Sequence, residues 1–209
     1  MKKLRKRRNL KKTRDIADAF AFFKLAHEGH TYPEDGRPYW PHIYRVGCYL
    51  QRVIKIYGEL DKDVAKCVVT AGFGHDSLED TALTAKEIES KFGNLVLELI
   101  VGMTNQQGDS QTASYVEQIC SGREELRLIK LSDLYDNYTT LACNPNEDQI
   151  ISLGRRVLPI MEPMYDRIRT TKFRKYPKTG NYLLTSMQIA HDLAVFRINA
   201  ASNYETTLK

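Results

Sequence analysis

The 209-residue sequence predicts an all-α fold. Three observations carry that expectation. Apolar residues recur every three or four positions through most of the chain, the spacing that lines one face of a helix. No stretch alternates apolar and polar residues as a half-buried strand does. Helix punctuation stands at the junctions: Gly58, Asp61 and Thr84-Ala85-Lys86-Glu87 fall where helices would end or begin.

Residues 14–28 carry Ile16, Phe20, Phe23 and Ala26 near helical spacing and form the first predicted helix. From His27 to Tyr39, two prolines and two glycines make most of the chain loop. Pro41 suits a first helical turn. Ile43, Val46, Leu50, Val53 and Ile54 then predict a helix over 41–57, closed by Gly58. Asp61 caps a third helix with Val64, Ala65, Val68, Val69 and Gly72 on its face, running into His75-Asp76. Thr84 to Glu87 has capping-box spacing and opens a short helix to Phe92-Gly93. Leu95, Leu99 and Ile100 predict another, ending near Thr104, and 105–111 is polar loop. Helices follow at 112–121 and 123–137, the second carrying Leu126, Ile129, Leu131 and Leu134. Residues 147–168 are helical in pattern, with Pro159 and Pro163 predicted to kink or break the helix. A basic, loop-like stretch at 170–180 leads to a final helix over 181–201.

With 42% hydrophobic residues the chain can bury one good core. It shows no internal repeat and no dividing linker, so the expected organisation is a basic extension over 1–14 and one domain over 15–209. No apolar run is long enough to cross a membrane. The basic N-terminus lacks the apolar stretch of a secretory signal, so the expected location is cytoplasmic. Cys48, Cys67, Cys120 and Cys143 are scattered without a Cys-x-x-Cys pair, which argues against a zinc finger or a disulfide framework. The net charge of +5 is concentrated. Residues 1–14 hold nine Lys and Arg and no acid, leaving 22 basic against 26 acidic side chains elsewhere. This tail is a candidate for weak nucleic-acid contact. The reading preferred over it is a solvated extension, because no aromatic is interleaved for base stacking.

The most informative stretch is Gly74-His75-Asp76-Ser77-Leu78-Glu79-Asp80-Thr81, directly after the largely apolar run 68–73. Charged groups are rarely buried unless paired or bound to a metal. At a helix end His75 and Asp76 can both turn towards one ion, which then needs further ligands. His42 stands early in the second helix, after the rigid approach Arg37-Pro38-Tyr39-Trp40-Pro41. Asp133 interrupts an apolar helix face in Lys130-Leu131-Ser132-Asp133. Two imidazoles and two carboxylates make a mixed nitrogen and oxygen set, which favours manganese, iron or similar ions over a thiolate-type zinc. Such an ion lowers the pKa of a bound water and draws charge off a phosphoryl oxygen. Glu79, one turn from His75, could position or deprotonate that water, assisted by Asp80. Taken singly, each has a plainer reading: a helix cap for His75-Asp76, a polar first-turn residue for His42, an ion pair with Lys130 or Arg127 for Asp133. A second dipeptide, His191-Asp192, lies in the last helix without a following Glu-Asp and reads as structural.

Taken together, these motifs resemble the HD-domain phosphohydrolases, most closely the alarmone hydrolase branch. Ala26-His27-Glu28-Gly29 resembles the opening of that family's first loop. Gly36-Arg37-Pro38-Tyr39-Trp40-Pro41-His42 resembles its Gly-x-Pro-Tyr-Ile-x-His. His75-Asp76-Ser77-Leu78-Glu79-Asp80-Thr81 resembles His-Asp-x-x-Glu-Asp-Thr. Phe92-Gly93 with Val101-Gly102-Met103-Thr104 resembles Phe-Gly and Gly-Val-Thr, and Ile129 to Asn137 resembles Ile-Lys-Leu-Ala-Asp-x-x-x-Asn. The motifs come in the family's order and cover 20–142, while 143–209 match loosely as C-terminal helices.

The resemblance implies an HD-type helical fold with one Mn²⁺, or another divalent metal, held by His42, His75, Asp76 and Asp133. It implies Glu79 and Asp80 as catalytic carboxylates, and loss of a 3′-pyrophosphate from guanosine tetra- or pentaphosphate or a related nucleotide. Asn137 and Thr140 match nucleotide-contacting positions. No synthetase domain follows, so the expectation is a chain with hydrolase activity only. In the first loop His30 stands where the family has Gln, and Tyr32 stands where it has an Arg that stacks on guanine. An aromatic can stack on a base but supplies no cation. Leu134 likewise replaces an Arg found in many members. Two alternatives stay open at this point: an HD phosphohydrolase for another nucleotide, and a non-catalytic nucleotide- or RNA-binding regulator.

Overall fold

The computed structural model describes residues 15–33, 35–105 and 113–207. Among them ten helices follow one another: α1 (Ile16–Ala26), α2 (Trp40–Tyr57), α3 (Lys62–Phe73), α4 (Ser77–Asp80), α5 (Ala85–Phe92), α6 (Asn94–Met103), α7 (Ala113–Ser121), α8 (Glu124–Ala142), α9 (Glu147–Ile168) and α10 (Pro177–Thr207). No strand occurs among the described residues; one isolated bridge joins Thr31 to Pro38. The all-α expectation holds. The basic run 1–14 and most of the expected polar loop at 105–111 lie outside the described residues. No described helix is long and apolar enough to cross a membrane, and all four cysteines are free.

Helix α8 is the axis of the fold. It packs most extensively on α10 and also touches α2, α3, α6, α7 and α9. A helix covered on so many sides cannot be amphipathic in the usual sense, and its buried positions include Glu125, Arg127, Asp133 and Asp136. Each has partners. Glu125 accepts from Lys175 Nζ at 2.7 Å and from Tyr176 Oη at 2.8 Å. Arg127 donates to the carbonyls of Cys120 and Gly122 at 2.7 and 3.1 Å. The two aspartates face α2 and build the site described below. α8 runs five residues beyond its predicted end at 137. Tyr138, Leu141 and Ala142 are buried, and burial outweighs the modest helix propensity of Asn137, Thr139 and Thr140.

Two expected features are realised by local chemistry. Gly58 ends α2 in the left-handed conformation (φ 61°), with its N–H donating to the Ile54 carbonyl. Thr84 and Glu87 form a complete capping box at the start of α5. Asp61 takes the N-cap position of α3, although its side chain makes no capping hydrogen bond.

Two expectations need correction. The first concerns the break considered at Pro159 or Pro163, which does not occur: α9 runs through both. Each proline removes a backbone hydrogen bond, yet the helix stays continuous, with Ile150, Ile151, Gly154, Met164 and Ile168 buried and α8 and α10 packed against it. The second concerns α10, which begins at Pro177 rather than 181. Its first-turn N–H groups find an acceptor far away in sequence: Glu59 receives from Lys178 N–H at 3.0 Å and Thr179 N–H at 2.7 Å. The basic stretch before it is tied to α8. Glu124 accepts from the backbone N–H groups of Arg174, Lys175 and Tyr176 at 2.7, 3.0 and 3.1 Å.

Candidate metal centre

Two structural corners meet α8 to make the site. The first is the entry to α2. The preceding loop is pinched by backbone hydrogen bonds, Tyr32 N–H to the Arg37 carbonyl and Tyr39 N–H to the His30 carbonyl, both 2.9 Å. Tyr39, His42 and Arg45 then follow at three-residue intervals, which places them on one side of the helix start. The second corner follows α3. A Cβ on Gly74 would stand 2.4 Å from the Phe23 ring, so only glycine lets the chain turn this tightly over the core. The turn presents His75 and Asp76, and the single turn α4 then carries Glu79 and Asp80, whose N–H groups donate to the Asp76 carbonyl at 3.1 and 2.9 Å.

These corners bring the four expected ligands together. His42 Nε2 lies 3.3 Å from His75 Nε2, 3.7 Å from Asp76 Oδ2 and 3.3 Å from Asp133 Oδ1. His75 Nε2 lies 2.9 Å from Asp76 Oδ2 and 3.6 Å from Asp133 Oδ1. Ligands about 2.1 Å from a shared cation stand about 3.0 Å apart at right angles and about 3.4 Å apart at the tetrahedral angle. The observed separations bracket those values. Both imidazoles, once neutral, have the tautomer that a cation needs. His75 Nδ1 donates to the Gly72 carbonyl at 2.9 Å and His42 Nδ1 to Asp136 Oδ2 at 2.8 Å, so both Nε2 lone pairs face the common point. His42 and His75 are buried, at 2% and 1% exposure. His42, His75 and Asp76 therefore fit a divalent cation, with Asp133 Oδ1 beside the two imidazoles.

Asp133 makes the ion pair expected of it and also faces the two imidazoles. Its Oδ2 pairs with Lys130 Nζ at 2.9 Å while its Oδ1 faces the two imidazoles. Asn137 Nδ2 also donates to Oδ1, at 2.8 Å. Burial raises the Asp133 pKa, but Lys130 and the imidazoles hold it well below the usual carboxylate range. Burial likewise opposes the Asp76 carboxylate, and His75 with its neighbours brings it down to about 2. The Tyr39 hydroxyl donates to Asp76 Oδ2. Behind it His30 stacks on the Tyr39 ring, with centroids 4.2 Å apart, and faces His27.

Glu79 and Asp80 stand at the rim. Both have raised pKa values, from burial first and then from the Asp76 charge nearby. The backbone N–H of Asn105 donates to Glu79 Oε1 and opposes part of that rise. The three expected nucleotide contacts, Tyr32, Asn137 and Thr140, line one cavity of about 270 Å³. It meets a larger cavity of about 790 Å³ at Arg37, Thr140 and Asn144. The Arg37 guanidinium lies 5.4 Å from the centre of the Tyr32 ring, so the loop that lacks the expected arginine still brings a cation to this wall. The second His-Asp pair stays apart from all of this. His191 bonds Glu162 at 3.1 Å and Asp192 at 2.9 Å and stacks on Tyr165.

Asp136, Arg45 and Tyr39 escaped the sequence reading as site residues. The available signal was helical spacing: Asp136 follows Asp133 by three positions on α8, and Tyr39 and Arg45 flank His42 by three on α2.

No family model matches this chain. The zebrafish (Danio rerio) guanosine-3′,5′-bis(diphosphate) 3′-pyrophosphohydrolase MESH1 is 33% identical over 132 residues, spanning 60% of this chain and 68% of that protein. The chain belongs to this pyrophosphohydrolase family. Family members that are larger proteins match as well. Bifunctional (p)ppGpp synthase/hydrolase SpoT of Escherichia coli is 28% identical over 162 residues, 73% of this chain. The pyrophosphohydrolase of Aquifex aeolicus is 31% identical over 160 residues. The chain spans about a fifth of the length of these larger relatives (22% and 21%). The family fold is shared by the solved structure of a metazoan SpoT orthologue, which has a TM-score of 0.63 at 18% identity over 85% of this chain and 96% of that one.

The ligand geometry predicts how cation binding depends on pH. Burial lowers the His42 pKa, but hydrogen bonds to Asp133 and Asp136 more than reverse this, raising it from 6.5 to about 9. His75 is raised as well. In the metal-free protein the His42 contribution to stability is fully present below pH 6.5 and is lost as pH rises through about 9. A cation needs the same lone pairs unprotonated. The rise in melting temperature on adding Mn²⁺ is therefore expected to grow steadily from pH 6 to pH 9. Melting curves with and without the ion check this, and an increment that is flat or shrinking with pH would contradict it.

Proposed function

We propose that this chain is a metal-dependent phosphohydrolase that removes the 3′-pyrophosphate of guanosine tetra- and pentaphosphate. The observation that carries the reading is the convergence of His42, His75, Asp76 and Asp133 beside two carboxylates of raised pKa. The hydrolase names of its bacterial and zebrafish relatives support it. The mixed imidazole and carboxylate set suits Mn²⁺. When bound, that ion supplies Lewis acidity for a phosphoryl oxygen and for a water molecule. Glu79 takes the proton of the attacking water. Its raised pKa matches that role, because a base titrating nearer neutrality holds a proton better in the transition state. Asp80, also raised, assists it. Asn137 links the two halves of the site, touching Asp133 with its amide and lining the cavity with Tyr32 and Thr140. The half-buried Tyr32 ring offers a face for the base, and Arg37, paired with Asp35, stands beside it.

The direct test is pyrophosphate release from a nucleotide panel that includes ppGpp and pppGpp, with Mn²⁺ and with EDTA. EDTA-sensitive release from ppGpp, faster than from any other nucleotide, is expected. Faster turnover of a different nucleotide would keep the hydrolase reading and reject the guanosine substrate. In the same assay Tyr32→Ala is expected to raise KM for ppGpp by about 10-fold, the scale of one lost stacking contact. An unchanged KM would remove Tyr32 from the nucleotide site.

A further inference from the structure

We infer that Asp136, clamped by Arg45, is the positioning residue that fixes His42 as a metal ligand. The inference rests on the proposed metal centre and adds a device on its outer side. His42 is buried and has only two ring nitrogens to place. Nδ1 is committed to Asp136 Oδ2 at 2.8 Å, and this directs Nε2 to the point shared with His75, Asp76 and Asp133. Asp136 is not itself a ligand of that point. Its Oδ1 accepts from Arg45 Nε at 2.6 Å, and its Oδ2 accepts from Arg45 Nη2 at 2.9 Å as well as from His42. A buried carboxylate held only by an imidazole would be costly. The two-pronged guanidinium offsets that cost and fixes the plane of the carboxylate, and with it the plane of the imidazole. Arg45 also reaches Thr140 Oγ1 at 3.4 Å, so the clamp touches the cavity wall.

The two imidazoles of the site are thus oriented by unequal partners. His75 leans on a neutral backbone carbonyl, Gly72, three residues away. His42 leans on a carboxylate 94 residues away on α8. A carboxylate acceptor makes an imidazole a stronger donor to metal than a carbonyl does, and loss of such a partner typically weakens metal binding about 10- to 100-fold. His42 is therefore the ligand whose strength depends on the packing of α2 against α8.

The test is Mn²⁺ affinity of the full chain, read from the paramagnetic resonance signal of the free ion, with melting in EDTA as the control for folding. Asp136→Ala is expected to weaken binding about 10- to 100-fold. Asp136→Asn, whose amide oxygen can still accept from His42 Nδ1, is expected to recover part of that loss. Saturating Mn²⁺ is expected to restore much of the activity of both. An alanine variant that binds Mn²⁺ within about twofold of wild type would overturn the role of Asp136. Should the alanine variant fail to fold, Asp136→Asn decides: about a threefold loss or more, with unchanged melting in EDTA, supports the role, and wild-type affinity rejects it. A wild-type chain that binds no Mn²⁺ would instead reject the metal centre itself.

Discussion

Asp76→Ala is expected to abolish both Mn²⁺ binding and pyrophosphate release from ppGpp while leaving the helical fold intact. Asp76 Oδ2 is the ligand atom nearest to His75 Nε2, at 2.9 Å, and it also accepts from the Tyr39 hydroxyl. Its removal takes one of the two negative charges from the set and leaves Asp133 as the sole carboxylate beside the two imidazoles. A metal contributes several kcal/mol of transition-state stabilisation, so its loss is expected to lower kcat/KM by about 10³-fold or more. The fold does not depend on this side chain, because the turn at 74–76 is held by backbone contacts and by the fit of Gly74 over Phe23. Circular dichroism, an Mn²⁺ titration and the release assay on one preparation separate these effects. A variant that keeps metal and activity would remove Asp76 from the site; one that loses metal but keeps activity would reject metal-dependent hydrolysis.

Glu79→Gln is expected to separate metal binding from catalysis. Glu79 touches none of His42, His75, Asp76 and Asp133; it accepts from the Asn105 backbone N–H, and its charge senses Asp76 from the rim. The amide is isosteric and can still accept from the Asn105 N–H, yet it cannot take a proton from water. Mn²⁺ affinity should stay close to wild type, while kcat falls by about 10²- to 10⁴-fold, the range of general base catalysis. A fall confined to KM would instead assign Glu79 to substrate binding, with Asp80 the next candidate for the base.

The sequence alone determined the helical class, the order of the longer helices and the residues that converge on one point. Those properties are local. A repeat of three or four residues needs only its own segment to be legible, and so do the Thr84–Glu87 box and the Gly58 stop. His42, His75, Asp76 and Asp133 were legible because charged or metal-binding groups beside apolar runs need a reason to be there. Tertiary structure decided whatever depends on partners distant in sequence. α10 starts at Pro177 because Glu59 supplies acceptors to its first turn. α9 passes through two prolines while α8 and α10 pack against it. Asp133 serves Lys130 and the imidazoles at once because α2 and the turn after α3 bring His42 and His75 to its Oδ1 while Oδ2 meets Lys130. Asp136 became a site residue because α2 lies against α8 and brings His42 and Arg45 to it from 94 and 91 positions away. Periodicity records which face of a helix is buried; it does not record which side chain of another helix that face will meet.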